Sequence, residues 1–182
     1  MTIIKEESIV RFERLRSARD KFYAPALALY AQSFPLHEQR TPAAQAAALG
    51  EEEYHFDLIL EGEALAGLLL YWETADFLYV EHFCVDPAMR NRGYGQRALE
   101  ALAERGKAII LEIDPPVDEI SRRRQGFYQR LRYQVNAFHH VHPPYRADCA
   151  GHELVVLSHP SALSRAEYDR FNRYLQKVVM KG

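Results

Sequence analysis

The first half of the chain is dominated by apolar or alternating runs that are typical of β-strands. Four such runs are bounded by charged or turn-forming residues; they are Val10–Leu15, Tyr54–Glu61, Ala64–Glu73 and Phe77–Val85. Helices are predicted over residues 23–34 and 42–50, the second because Thr41 can cap a helix that has Pro42 at its first position. This half therefore predicts a hairpin followed directly by a third strand, with helices before them.

The second half alternates between helical and strand-like patterns. Helices are predicted over residues 93–105 and 117–131. Strands are predicted over residues 107–113, 133–140 and 153–158. A final helix over residues 164–180 opens on a capping-box pattern and carries an apolar stripe that packs either on the core or on a partner subunit. The whole pattern predicts a single α/β domain over residues 1–182, with a mixed sheet and helices on both faces.

The composition limits the function classes. With 182 residues, 48% of them hydrophobic, and a net charge of −2, the chain can bury one core and has no overall basic character. Nucleic acid and membranes are therefore not expected as partners, and the longest apolar run, residues 64–72, is too short to span a bilayer. The acidic N-terminus lacks a signal-peptide pattern, so a cytoplasmic protein is expected. Cys84 lies in an apolar run, where an inert buried thiol is favoured over a disulfide with Cys149.

A glycine-containing loop between a strand and a helix is the strongest sign of chemistry. Gly93 and Gly95 stand where residues 85–100 change from a strand into a helix, and Arg90, Arg92 and Arg97 lie beside them. Glycines at a helix start let a ligand approach the backbone, whose free N–H groups and positive dipole end favour an anion. The loop therefore predicts a phosphate or pyrophosphate site.

These glycines have two other interpretations. Gly93-x-Gly95-x-x-Ala98, with Asp114 further along, matches a loose dinucleotide-binding fingerprint of the kind found in nicotinamide or flavin oxidoreductases. However, a long basic lead-in, residues 86–92, separates strand and glycines, and too little chain follows Asp114 for a doubly wound sheet. The glycines could also serve only as a helix start.

Two motifs together carry a resemblance to a known family. Arg90-Asn91-Arg92-Gly93-Tyr94-Gly95 resembles the Gln/Arg-x-x-Gly-x-Gly/Ala acyl-CoA motif of the GCN5-related N-acetyltransferases, the GNAT family. Downstream, residues 126–133 resemble the family's helix-end motif, x-Phe-Tyr-x-x-x-Gly-Phe, although Arg132 stands where the family usually has a left-handed glycine. The resemblance covers about residues 8–158 and leaves the final helix outside.

The resemblance implies a fold, a co-substrate and a reaction. The fold would be a mostly antiparallel central sheet whose two parallel central strands splay apart to admit acetyl-CoA. The acetyl group would pass directly to a primary amine, without an acyl-enzyme and without a metal. The pyrophosphate would lie on the motif from Arg90 to Gly95, and the pantetheine arm would pair with backbone groups of Phe83, Cys84 and Val85. A non-catalytic CoA-binding module on the same fold is the alternative.

Three residues are candidates for proton transfer. Tyr128 matches the family's tyrosine near the thioester sulfur, where it can protonate the leaving thiolate; otherwise it is a core tyrosine whose hydroxyl binds backbone. Glu81 lies on the strand that leads to the loop and is the first candidate for the base or for positioning the amine. Otherwise it is a glutamate at the surface of the sheet. Glu112 interrupts an apolar strand, so it is the second candidate or else belongs to a structural ion pair, for example with an arginine.

Further polar clusters have weaker assignments. The segment from His139 to Tyr145 joins the last strands, which often line the acceptor pocket in this family, so His142 and Tyr145 are predicted substrate contacts. A metal site built from its histidines lacks a known ligand spacing. Arg122-Arg123-Arg124 is more simply a solvated helix face than a site for the CoA 3′-phosphate or for RNA. The expected partner is a small-molecule or peptide amine, and the stripe on the final helix suggests a homodimer.

Overall fold

A seven-stranded sheet forms the centre of the computed structural model, which describes residues 10–181. Its strands are β1 (Val10–Leu15), β2 (Tyr54–Glu61), β3 (Ala64–Glu73), β4 (Phe77–Val85), β5 (Ala108–Ile113), β6 (Gln134–Val135) and β9 (Val155–His159). They lie in the order β1-β2-β3-β4-β5-β9-β6, and every neighbouring pair is antiparallel except β4 and β5. The predicted mixed, mostly antiparallel sheet is confirmed.

Five α-helices flank this sheet. They are α1 (Tyr23–Ser33), α2 (Pro42–Ala48), α3 (Tyr94–Ala103), α4 (Glu119–Arg130) and α5 (Arg165–Tyr174), with a π-helical turn over Leu175–Val179. The predicted caps form, since Thr41 accepts from the Ala44 N–H at 3.2 Å, and Ser164 and Glu167 make a reciprocal capping box. No helix in the described part of the chain is long and apolar enough to cross a membrane.

The sheet has a hydrophobic core on each side. The face against α1 and α5, here called the α1 face, includes Phe77 and Tyr79, whereas the α3 face, against α3 and α4, includes Leu78 and Val80. The apolar stripe of the final helix belongs to the α1 face, where Tyr168, Phe171, Leu175 and Val179 are buried. Because the chain's own core buries this stripe, the stripe gives no support to the predicted homodimer.

The two central strands diverge, and one of them carries a bulge. Pairing between β4 and β5 ends at Val80 and Leu111, so the remainders of both strands separate. On the other edge of β4, Leu70 pairs with His82 and Tyr71 with Val80, which leaves Glu81 as an extra residue. The bulge turns both Glu81 and His82 towards the α1 face, where Glu81 accepts from Trp72 and His82 contacts Tyr30.

One predicted strand is wrong. Residues 133–140 form only the two-residue β6, and Val141–His142 (β7) pairs instead with His152–Glu153 (β8) in a separate ribbon. The buried Asn136 explains the break, because its side chain donates to the Val156 carbonyl and accepts from the Leu163 N–H. These side-chain hydrogen bonds occupy backbone groups that would otherwise be available for pairing with a strand.

The end of α4 keeps the left-handed turn that the family's glycine would give. Arg132 has φ +67°, the Tyr133 N–H donates to the Tyr128 carbonyl, and the Arg132 N–H donates to Gln129. These bonds form a Schellman motif, so Arg132 adopts a conformation that normally favours glycine.

Candidate active site

A cleft of about 780 Å³ opens where β4 and β5 diverge. It is bounded by the start of α3, by α4, by the α1–α2 connection and by the segment around β7 and β8. All of the residues predicted for the site line it except Arg92; they are Glu81, Phe83, Cys84, Val85, Arg90, Asn91, Gly93, Tyr94, Gly95, Glu112, Tyr128, His142 and Tyr145. The fold thus gathers residues from five separate stretches of sequence into one cavity.

The start of α3 provides the anion-binding end of this cleft. Gly93 caps the helix with φ +79°, and the first intrahelical bond runs from the Arg97 N–H to the Gly93 carbonyl at 3.0 Å. The N–H groups of Tyr94, Gly95 and the residue after them therefore have no acceptor within the helix. Together with the positive end of the dipole they suit a pyrophosphate.

Two side chains of the motif, those of Arg92 and Tyr94, have partners outside the expected pyrophosphate site. The Arg92 guanidinium turns away from the cleft, towards Glu61 at 4.0 Å and the Met89 sulfur at 3.7 Å. The Tyr94 side chain is buried in the α3-face core beneath the Arg97 guanidinium. Arg92 thus lies outside the lining of the cleft, beside an acidic neighbour on β2, and its contact with the pyrophosphate stays a prediction. Tyr94 can offer the cleft mainly its backbone.

The part of β4 beyond the bulge has one free edge. Phe83, Cys84 and Val85 pair with β3 on one side, and no strand in residues 10–181 pairs with them on the other. Their outward backbone groups can therefore bind an extended ligand as a further strand would. Cys84 and Cys149 are both free thiols, and burial raises the pKa of the Cys84 thiol, in keeping with an inert side chain.

Tyr128 presents an unoccupied hydroxyl to the cleft. It lies in the last turns of α4 and is only 7% exposed, yet within the described residues its hydroxyl forms no hydrogen bond to protein. The backbone-bonded core tyrosine that was the alternative is therefore not what is observed. Burial raises the pKa of Tyr128 to about 12, so the hydroxyl keeps its proton at neutral pH and can donate it.

Glu81 lies in a buried ion pair at the bulge. The Arg40 Nε and Nη2 atoms are each 2.9 Å from its Oε1, and the Trp72 indole donates to Oε2 at 2.7 Å. Burial alone would raise the pKa of this carboxyl, but the Arg40 guanidinium holds it below its usual value. The glutamate is fully buried, so the sheet-surface alternative is wrong. Arg40 precedes α2, and no local sequence pattern marks it as a partner.

Glu112 lies in a second buried network. Its Oε1 contacts the His140 Nε2, the Tyr79 hydroxyl donates to its Oε2, and the His142 Nε2 lies 3.9 Å from Oε2. His140 in turn meets the Tyr168 hydroxyl at 2.9 Å through Nδ1. Burial would raise the pKa of the Glu112 carboxyl, but its hydrogen bond with His140 lowers it. The buried partner of Glu112 is thus a histidine rather than an arginine, and its part in the reaction stays a prediction.

The comparison with known proteins decides the family. The pattern of the acetyltransferase (GNAT) family matches residues 15–133, which is more than half of the chain. The chain belongs to the GNAT acetyltransferase family. A GNAT-family protein of Bacteroides thetaiotaomicron, known from its structure, is 30% identical and superposes with a TM-score of 0.87, over 94% of this chain and 99% of its own.

Other GNAT relatives are more distant. YjbC of Bacillus subtilis, named as an acetyltransferase, is 30% identical over 104 residues, which are 56% of this chain and 52% of YjbC. The chain thus aligns with about half of that protein's length. An acetyltransferase of Bacillus subtilis crystallised with CoA is 15% identical, with a TM-score of 0.55 over 82% of this chain and 97% of its own. At that identity the likeness concerns the fold.

Histidine and aromatic side chains form the rest of the GNAT cleft. His142 is buried on β7, where its Nδ1 donates to the Pro143 carbonyl at 2.6 Å, and the Tyr145 ring lies 4.9 Å from the imidazole. Within residues 10–181 no group of three histidine, cysteine or acidic side chains is arranged to hold a metal ion. The residues that sequence reasoning missed here are Glu38 and His82, which come from the α1–α2 connection and the bulge.

The three consecutive arginines of α4, Arg122, Arg123 and Arg124, are engaged with neighbours. Arg123 pairs with Glu119 and Arg124 with Asp114, both at 2.6 Å, and Arg122 donates to the Val117 carbonyl. The first pair is well exposed and the second half-exposed. This arrangement fits the solvated helix face better than a dedicated phosphate site.

Proposed function

We propose that this GNAT protein transfers an acetyl group from acetyl-CoA directly to a primary amine. One observation carries the proposal: the free start of α3 and the unoccupied Tyr128 hydroxyl open into the same cleft between diverging strands. Binding of CoA by the Bacillus subtilis acetyltransferase of like fold supports the choice of donor. The acceptor class, a small-molecule or peptide amine, is part of the proposal.

The donor binds along two backbone surfaces. The pyrophosphate accepts hydrogen bonds from the N–H groups at the start of α3, with the Arg90 guanidinium and Asn91 at the same end of the cleft. The pantetheine arm extends along the free edge of Phe83–Val85 towards the bulge. This route brings the thioester to the point where the strands separate.

The reaction moves one acetyl group and one proton. The neutral amine nitrogen attacks the thioester carbonyl carbon, and the tetrahedral intermediate collapses as the carbon–sulfur bond breaks. The departing thiolate takes the Tyr128 hydroxyl proton, which the raised pKa keeps in place until that moment. A base removes the proton that the nitrogen releases.

Glu112 and His142 together suit the role of base. Because His142 Nδ1 donates to the Pro143 carbonyl, the neutral ring carries its lone pair on Nε2, which faces the Glu112 carboxylate. A proton accepted at Nε2 would therefore be stabilised by that carboxylate. Glu81, whose oxygens are already occupied by Arg40 and Trp72, is better suited to positioning, since Tyr145 faces it from the cleft.

The test is thiol release from acetyl-CoA with a broad panel of amines. Tyr128→Phe should lower turnover by about 10²–10⁴-fold and leave acetyl-CoA affinity nearly unchanged, because only the proton donor is lost. Tyr133→Phe is the matched control, since that hydroxyl is also buried and unpaired but lies outside the cleft. Equal turnover in Tyr128→Phe and the native protein would refute the role of Tyr128.

The same assay separates the two functional classes. Acetyl-CoA binding without thiol release for any amine would indicate the non-catalytic CoA-binding module instead. A cytoplasmic location, a homodimer and the lack of nucleic-acid, membrane and metal partners remain predictions from the sequence.

A further inference from the structure

A row of aromatic and imidazole rings lines the acceptor side of the cleft. Consecutive ring centroids are 4.7 Å apart for Phe34 and His82, 5.6 Å for His82 and Tyr145, 4.9 Å for Tyr145 and His142, and 5.8 Å for His142 and His152. All five residues line the cleft. The faces of phenyl and phenol rings attract cations, and the Arg40 guanidinium already lies 5.7 Å from the centroid of the Tyr145 ring, so this wall suits an organic cation better than an anion.

Two of the imidazoles in this row are held neutral. Burial lowers the pKa of His82 and of His152, because a charged ring loses solvation there. Neutral rings do not repel a bound ammonium group, so the wall stays compatible with a cationic ligand near neutral pH.

Four carboxylates among the described residues line the cleft, and only one lacks a hydrogen-bond donor. Glu81 is bound by Arg40 and Glu112 by His140, as described above, and Asp114 accepts from Arg124 at 2.6 Å. The nearest basic atom to the Glu38 carboxylate is the His37 Nε2, 3.6 Å away, beyond hydrogen-bond distance. Glu38 is therefore the carboxylate of the cleft that still has room for a partner.

The position of Glu38 is fixed although no donor of the described residues lies within hydrogen-bond distance of its carboxylate. It ends the short turn Leu36–Glu38, and its carbonyl accepts from the His82 Nε2 at 2.7 Å, which ties the turn to β4. The side chain is 27% exposed. Burial and the Asp114 charge raise the pKa of the Glu38 carboxyl, and the Arg124 guanidinium offsets only part of that rise. A bound cation would offset this unfavourable electrostatic environment.

We propose that the acceptor carries a second cationic group, separate from the amine that is acetylated, and that Glu38 binds this group against the row of rings. The inference rests on the proposed function, because it names the acceptor class of the same cleft. It predicts a preference for dicationic amines over monoamines of equal length.

The experiment compares α,ω-diaminoalkanes with n-alkylamines of matched length as acceptors. We expect the best diamine to have a KM at least about tenfold below that of its monoamine. Glu38→Gln should remove this advantage, so that diamine and monoamine have similar KM values, whereas Glu38→Asp should retain part of it. Glu63→Gln, which removes a carboxylate from an exposed hairpin turn, is the control and should leave the preference intact.

A binding measurement keeps this inference distinct from the proposed function. Calorimetric titration of the same diamines into protein saturated with CoA reports the Glu38 contact whether or not acetyl transfer occurs. Loss of diamine binding in Glu38→Gln, but not in Glu63→Gln, supports the proposal even without turnover. Equal affinity for diamine and monoamine, or an equal diamine affinity in Glu38→Gln and native protein, would overturn it.

Discussion

The buried pair of Arg40 and Glu81 gives the sharpest prediction for stability. Arg40→Met removes two contacts of 2.9 Å to Glu81 and a 2.7 Å hydrogen bond to the Val179 carbonyl, and it leaves a fully buried carboxylate without its counter-charge. Breaking such a pair costs about 3–5 kcal/mol. That is a large part of the ~5–15 kcal/mol by which a domain is stable. Arg40→Met should therefore unfold at far lower urea concentration than the native protein.

The effect of pH on this loss follows from the direction of the pKa shift. In the native protein the pKa of Glu81 lies below its unfolded value, 4.5, so the pair stabilises the fold above that pH and its contribution is lost as pH falls through the lower, folded pKa. Without Arg40, burial dominates and raises the folded pKa above the unfolded one. The variant then loses stability as pH rises, so its deficit should grow from acid to neutral pH.

Urea unfolding followed by circular dichroism between pH 4 and pH 8 measures both effects. The double variant Arg40→Met, Glu81→Leu removes both charges and should recover most of the loss, which also keeps the test usable if the single variant does not fold. A deficit below about 1 kcal/mol at pH 7, or a double variant less stable than Arg40→Met, would refute the reasoning.

Three further stability predictions follow from other features. Arg132→Gly should raise the free energy of unfolding by ~0.5–1 kcal/mol, because the residue has φ +67°, whereas Arg130→Gly, inside α4, should lower it by about as much. Burial raises the pKa of Asp57 to about 6 from 3.8, so native stability should fall by ~2 kcal/mol between pH 4 and pH 7; a pH titration of unfolding in Asp57→Asn should lack this slope. Gly67→Ala would place its Cβ 2.4 Å from the Cys84 carbonyl, so thermal unfolding and CoA titration should reveal a loss of ~1–3 kcal/mol and weaker CoA binding; an unchanged melting temperature would contradict this.

The sequence predicted those parts of the fold that depend on neighbouring residues. The bounds of β2, β3 and β4 agree with the predicted runs, and the Ser164 capping box forms where it was expected. The glycine motif was also recognisable, since its chemistry lies in consecutive backbone groups. In each case the physical cause of the structure is the spacing of residues that are close together in the sequence.

The partners of the buried charges could not be predicted in this way. Arg40 lies 41 positions from Glu81, and His140 lies 28 positions from Glu112, so only the folded sheet brings them together. The same holds for Glu38, whose carboxylate matters because other acids of the cleft already have donors. Nor could the sequence show that the Arg92 guanidinium lies beside an acid on β2, which is distant in sequence.

The bulge at Glu81 changes which face of the sheet the odd-numbered residues of β4 occupy. Before it, odd-numbered residues such as Tyr79 face the α1 side, and after it the even-numbered Cys84 does so, while Phe83 and Val85 face the other side. Deleting one residue here would therefore move the side chains along the rest of β4 to the opposite face of the sheet. An alignment of this chain that is displaced by one position beyond residue 81 would assign each remaining residue of the strand to the wrong face.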